Sequence, residues 1–224
     1  MRVLTFIARL WIVLLSVAFA IMYVLARPDY YIPIFIALAI TYGITAVVEA
    51  LTVGLDTIRG KFILLLSTMG FTIALATILQ GTWSHLFHIL FRIAILLAVA
   101  FMYLNLRMKL HIPLSSRKRL VAVLSGIALF IVTLVLSIVL NEPLYKEIIL
   151  WIDAVSFEFV VLNALMYLGG DIEKIWVAGL VAMFVLLLGD AFFLFHMPGN
   201  VHIVFWFIPI FIMNNVALRV IEEG

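Results

Sequence analysis

The stretch that decides the fold is residues 119–140, RLVAVLSGIALFIVTLVLSIVL, in which one arginine precedes an uninterrupted uncharged, mostly apolar run. As a helix rising about 1.5 Å per residue, such a run crosses the roughly 30 Å hydrocarbon core of a bilayer. Comparable runs predict spans at 3–26, 32–55, 61–80, 83–106, 119–140, 148–168, 174–195 and 201–218. The sequence therefore predicts an all-α polytopic membrane protein with eight transmembrane helices.

The composition agrees with this class and excludes several others. The 224 residues are 67% hydrophobic, with 14 basic and 12 acidic residues and no cysteine, and the mean hydropathy is +1.31. Soluble domains carry about 25% charged residues, twice the 12% found here. A water-soluble globular protein, a disordered chain and a disulfide-stapled secreted domain are all excluded. A net charge of +2 gives no reason to expect a nucleic-acid partner.

Basic residues predict the orientation of the chain in the membrane. With eight spans, both termini lie on the same side, and ten lysines and arginines fall on that side against two on the other. The ten are Arg2, Arg59, Lys61, Arg107, Lys109, Arg117, Lys118, Arg119, Lys174 and Arg219, and the two are Arg27 and Lys146. Because loops rich in Lys and Arg stay in the cytoplasm, we expect a multi-pass cell-membrane protein with both termini cytoplasmic.

The two halves of the chain resemble each other and predict a tandem duplication. Arg9-Leu10 matches Arg119-Leu120 at an offset of 110, and ordered matches continue through Gly70 and Gly189. The predicted repeats are 1–110 with the first four spans and 111–224 with the last four. Spans four apart point the same way, so the repeat is parallel, as in some transporters that bind substrate at the repeat interface.

Candidate site residues are the charged and imidazole side chains within the spans, since a charge at the bilayer centre costs roughly 3 kcal/mol or more. Helix rise places one set in the outer half of the membrane: His88 and Arg92 on the fourth span, Asp153 and Glu158 on the sixth, and Asp190 on the seventh. Asp153 and Glu158 lie about 140° apart around their helix, so we expect them to have different roles. Glu49 and its repeat counterpart Asn163 form a secondary set, for which interhelical hydrogen bonds are expected.

Three interpretations of the outer-half set remain open. In the first, Arg92 forms a structural ion pair with Asp190, Glu158 or Asp153. In the second, the charges line a cavity, where Arg92 anchors an anion and a carboxyl carries a proton or cation. In the third, His88, His202 and carboxylates hold a divalent metal that activates water. Metal-ligand spacing motifs are absent from the sequence, so no cofactor is predicted. The aromatic segments around Phe193 and Trp206 are expected to face lipid or the interface.

The favoured function is transport or binding of a small polar or ionic solute. The alternatives are a non-catalytic subunit or sensor component of a membrane complex, and a membrane-embedded metal-dependent hydrolase. The sequence identifies no catalytic residue, and a non-enzymatic role is favoured. Besides the lipid bilayer and a small ligand, the expected partners are membrane helices or further copies of the chain.

Overall fold

A computed structural model describes residues 2–109, 115–140, 142–167, 174–195 and 200–222, and within these ranges the regular structure is helical, without strands. The helices are α1 Arg2–Val24, α2 Pro28–Val53, α3 Ile58–Ile78, α4 Gly81–Lys109, α5 Ser116–Leu140, α6 Leu144–Tyr167, α7 Lys174–Leu194 and α8 Val201–Glu222. Their bounds lie within about four residues of the predicted spans. The prediction of an all-helical chain is confirmed.

Six of these helices, α2 to α7, are long and apolar enough to cross a bilayer. Among the described residues, α1 and α8 contribute the shorter apolar stretches Leu10–Val24 and Val201–Ile210. The bundle is therefore compatible with an integral membrane protein, while crossing by all eight helices stays a prediction. The duplication and its boundary near residue 110 also stay predictions.

The chain divides into two compact units, Met1–Phe91 with Ile210–Gly224, and Arg92–Pro209. In the first unit, the tightest helix contact is that of α2 with α3. A Cβ at Gly70 would lie 2.7 Å from the Ala39 carbonyl oxygen and 3.1 Å from the Gly43 nitrogen. The two backbones approach closely because neither Gly43 nor Gly70 has a side chain of its own at the crossing, a common arrangement between membrane helices.

The ends of the first unit's helices are held by aromatic and polar contacts. Phe19 of α1 packs on Tyr31 and Phe35 of α2, with ring centroids 6.2 and 6.1 Å apart. Ser84, in the first turn of α4, donates a hydrogen bond to the Ala76 carbonyl of α3 at 2.7 Å. The short connection between α3 and α4 therefore brings these helix ends together, as a helical hairpin requires.

In the second unit, α6 packs between α5 and α7, and it also contacts α4. Small residues of α5, among them Ser125 and Gly126, face α6. The remainder of α5 is open: only 6% of an 18-residue apolar window is buried, against 50% in α2. Such an apolar, exposed helix is suited to contact with lipid tails or another membrane helix.

Candidate functional site

A buried ion pair lies within the second unit. Arg92 of α4 donates from Nη2 to Oδ1 of Asp190 on α7 at 2.5 Å, and both side chains are 0% exposed. Burying a charge in an apolar interior is costly unless it is paired and hydrogen-bonded. The pairing therefore explains how an arginine and an aspartate from distant parts of the sequence are tolerated at this depth.

Aromatic side chains complete the surroundings of the pair. The Trp206 indole donates from Nε1 to the same Asp190 oxygen at 2.8 Å. The Arg92 guanidinium carbon lies 5.4 Å from the centre of the Trp206 ring and 5.5 Å from that of Phe193. Both distances fall within the range of cation–π attraction. Asp190 Oδ1 thus accepts two hydrogen bonds while two rings flank its cationic partner.

The expectation that Trp206 belongs to a lipid-facing or interfacial segment is wrong. Trp206 is buried, at 4% exposure, because Gly189 lets α8 approach α7. A Cβ at Gly189 would lie 2.8 Å from both Trp206 Cδ1 and Phe205 Cβ. The sequence signal was the Gly189-Asp190 pair, in which a residue without a side chain precedes a buried acid. Hydropathy does not separate a tryptophan that donates to a buried carboxylate from one that lies at the interface.

Asp153 of α6 is the third charged member of this cluster. It is buried, and it interacts electrostatically with both Asp190 and Arg92. Neither of its carboxylate oxygens has a hydrogen-bond partner among the described residues, and the same holds for Asp190 Oδ2. Ionised together, Arg92, Asp153 and Asp190 carry one surplus negative charge. We call these three residues the charged cluster.

Glu158 does not join the charged cluster. Its carboxylate faces α5, where Ser125 Oγ lies 3.0 Å from Oε2 and 3.2 Å from Oε1. The structure thus gives the two acids of α6 different surroundings. Asp153 lies beside the ion pair, and Glu158 lies at the contact between α5 and α6.

The histidines do not form a metal centre with the acids in the described ranges. His202 packs on Trp206 and Phe193, with ring centroids 4.8 and 5.4 Å apart, and it interacts electrostatically with Arg92. His88 is buried on the part of α4 that belongs to the first unit. Across the described residues, no three His, Cys, Asp or Glu side chains are grouped as metal ligands.

The secondary pair, Glu49 and Asn163, lies in two different units. Asn163 of α6 is fully buried and donates from Nδ2 to the Val99 carbonyl of α4 at 3.0 Å and to the Phe159 carbonyl at 2.7 Å. Glu49 is buried on α2, at 3% exposure, and interacts electrostatically with Tyr42 on the same helix. Asn163 therefore links two helices of its own unit.

No family model matches the chain, and neither the curated proteins nor the solved structures include one similar to it. Its chemistry is therefore inferred from the geometry of the charged cluster.

Proposed function

We propose that this protein is a transporter-like membrane protein that binds a small polar or ionic solute at the charged cluster. Six helices long and apolar enough to cross a bilayer support the membrane assignment. Arg92, Asp153 and Asp190 are buried ionisable side chains, and such side chains are costly within a bilayer. Intramembrane ionisable residues of this kind mark ion and substrate pathways in membrane proteins.

The observation that carries the proposal is that Asp153 is buried without a hydrogen-bond partner among the described residues. Arg92 and Asp190 already form an ion pair without Asp153, and their hydrogen bond joins α4 to α7. Asp153 adds a second buried carboxylate whose two oxygens lack hydrogen bonds in the described structure. An unsatisfied buried group costs about 1–3 kcal/mol, and a charged one more. A cluster with only a structural role gains nothing from leaving these oxygens without hydrogen bonds. A carboxyl that takes up a proton or small cation, by contrast, needs free oxygens to bind it.

The three residues then have distinct roles. Arg92 supplies the positive charge of the charged cluster. Asp190 and Trp206 hold that guanidinium in place when the solute is absent. Asp153 takes up the proton or small cation that offsets the surplus charge. Arrival of an anionic group at Arg92 competes with Asp190, which links solute binding to the charge state of the two acids.

Infrared difference spectroscopy of the reconstituted protein tests this assignment. A film in lipid is stepped in pH and then equilibrated in turn with Na⁺, K⁺ and acetate. We expect a carboxylic-acid carbonyl band that responds to these steps and is lost in Asp153→Asn. Glu158→Gln serves as the matched control, because it removes the other carboxyl of α6 and is expected to retain this band.

Two results would overturn the proposal. One is a spectrum in which no carboxyl band changes with pH or with the added ions. The other is a difference spectrum in which every responsive band of the wild-type protein is unchanged in Asp153→Asn. Either result would leave the charged cluster as a structural ion pair with an inert neighbouring acid.

The proposed orientation, with both termini in the cytoplasm, rests on the ten basic residues predicted for one side of the membrane. Because the chain contains no cysteine, single introduced cysteines report their side directly. Asp29→Cys and Ser115→Cys replace exposed residues in predicted outer and inner connections. A membrane-impermeant maleimide is expected to label the first in intact cells and the second only after lysis, and the reverse pattern would contradict the orientation.

A further inference from the structure

We infer that Glu158 forms a second acid site, separate from the charged cluster, that holds a proton and is open to the bilayer between α5 and α6. This inference does not depend on the proposed solute site. It rests on the depth of Glu158, on the number of hydrogens available to its neighbours, and on the space left by a glycine.

Glu158 lies well inside an apolar helix. In α6, Leu144–Tyr167, it follows the first residue by about 21 Å and precedes the last by about 13 Å at the rise of an α-helix. Its side chain is half-buried, and Val155, one turn earlier, is 46% exposed. An ionised carboxylate at this level of α6 would lie next to lipid tails, where its charge costs several kcal/mol.

Among the described residues, Glu158 forms no ion pair with a basic side chain. Arg117, Lys118 and Arg119 lie in the first turn of α5, and Arg119 precedes Ser125 by about 9 Å of helix. The guanidinium of Arg92 on α4 is paired with Asp190. Asp153 lies about 140° away around α6. A bound proton is therefore the simplest way to remove the charge of Glu158.

The hydrogen bonds around Ser125 are consistent with that proton. Ser125 Oγ lies 2.9 Å from the Ala122 carbonyl oxygen and 3.0 Å from Glu158 Oε2. A serine hydroxyl has one hydrogen and accepts at its lone pairs. If that hydrogen is donated to Ala122, the contact with Glu158 needs a hydrogen from the carboxyl. A protonated Glu158 that donates to Ser125 satisfies both contacts at once.

Gly126 leaves open space beside the carboxyl group. A Cβ at this position would lie 3.7 Å from the Glu158 carboxyl carbon and 3.8 Å from each oxygen, which is ordinary van der Waals contact. Gly126→Ala would therefore narrow access to Glu158 without a steric clash, and alanine is the better helix former. The chain thus offers a variant that narrows access to Glu158 without disrupting α5.

A lipophilic carbodiimide, dicyclohexylcarbodiimide, is the probe for a protonated carboxyl reached from the bilayer. The acid adds across one C=N bond: its oxygen bonds to the central carbon and its proton moves to a nitrogen. The acyl group of this O-acylisourea then migrates from oxygen to nitrogen and gives a stable N-acylurea, so nothing leaves. A carboxylate without its proton does not start the reaction.

The reconstituted protein is treated near neutral pH, and the adducts are located by peptide mass spectrometry. We expect Glu158 to react faster than Asp153 and Asp190, which are buried, and faster than the water-exposed Asp29. Glu158→Gln is expected to lose the adduct, and Gly126→Ala to slow its formation several-fold. A water-soluble carbodiimide is expected to label Glu158 poorly.

The inference fails if Glu158 stays unmodified in folded wild-type protein, or if Asp153 or Asp190 reacts as fast. Equal labelling by the water-soluble reagent would contradict access through the bilayer. Because the wild-type adduct is assigned by mass, a variant that does not fold leaves the test intact. Failure of the solute proposal would appear at Asp153 in the infrared experiment and would not affect this result.

Discussion

Replacement of Asp153 by asparagine separates a functional acid from a structural one. Asparagine has the same shape and keeps a polar head group, so packing around α6 is preserved. The change removes the surplus negative charge of the charged cluster and leaves Arg92 and Asp190 as a balanced pair. In the structure, neither Asp153 oxygen has a hydrogen bond to lose among the described residues.

The expected effect is therefore a gain in stability, or no change. An unsatisfied buried polar group costs about 1–3 kcal/mol and a charged one more, but the asparagine amide keeps part of that cost. We expect Asp153→Asn to raise the free energy of unfolding by up to about 2 kcal/mol, which corresponds to roughly 2–4 °C in Tm per kcal/mol for a chain of this size. Functional residues often lower stability in this way.

The assay is unfolding by SDS in mixed micelles, followed by circular dichroism and tryptophan fluorescence. Asp190→Asn is the matched control, because its oxygen accepts from both Arg92 and Trp206, and we expect it to lose about 1.5–3 kcal/mol. If Asp153→Asn instead destabilises the protein by more than about 1 kcal/mol, Asp153 makes a stabilising contact and the reasoning is refuted.

Three further substitutions test the ion pair, the crossing of α2 and α3, and the Trp206 hydrogen bond by the same unfolding assay. Arg92→Met leaves two buried carboxyls without a cation and is expected to cost about 3–5 kcal/mol; the double variant Arg92→Met/Asp190→Asn should recover part of that loss, and a double variant as unstable as the single would contradict the pairing. Gly70→Ala places a methyl group 2.7 Å from the Ala39 carbonyl oxygen and is expected to cost about 1–3 kcal/mol, whereas Gly126→Ala should cost nothing; equal effects would argue against the close crossing of α2 and α3. Trp206→Phe keeps a ring near Arg92 but loses the indole donor, with an expected cost of about 1.5–3 kcal/mol; an unchanged midpoint would show that this hydrogen bond adds no stability.

Patterns that depend on local composition predicted most of the fold. Helix positions follow from apolar runs such as residues 119–140, because each membrane helix satisfies its backbone hydrogen bonds within its own segment. The candidate acids and Arg92 could be predicted for a related reason. A charge within an apolar run is costly whichever neighbours its helix packs against. The expected difference between Asp153 and Glu158 followed from their spacing on one helix, and it needed no knowledge of neighbouring helices.

The composition of the sequence did not determine which acid pairs with Arg92. The sequence offered Asp190, Glu158 and Asp153 as partners for Arg92, and hydropathy does not rank them. The choice depends on how α7 and α8 pack, and that packing depends on Gly189, where a single missing side chain admits Trp206. The sequence predicted an interfacial position for Trp206 because amphipathic rings are common both at the membrane interface and in buried sites that offer a hydrogen-bond partner.

By itself, then, the sequence predicted a helical chain, compatible with an integral membrane protein, that carries a small number of costly charges within its apolar segments. Only the tertiary structure decided that Arg92 pairs with Asp190, which also accepts a hydrogen bond from Trp206. It likewise decided that Asp153 lies beside this pair without a hydrogen bond among the described residues, and that Glu158 contacts Ser125. The physical reason is range: hydrophobic burial acts on each segment alone, whereas a hydrogen bond or ion pair requires two side chains within about 3 Å of each other, a distance that only packing sets.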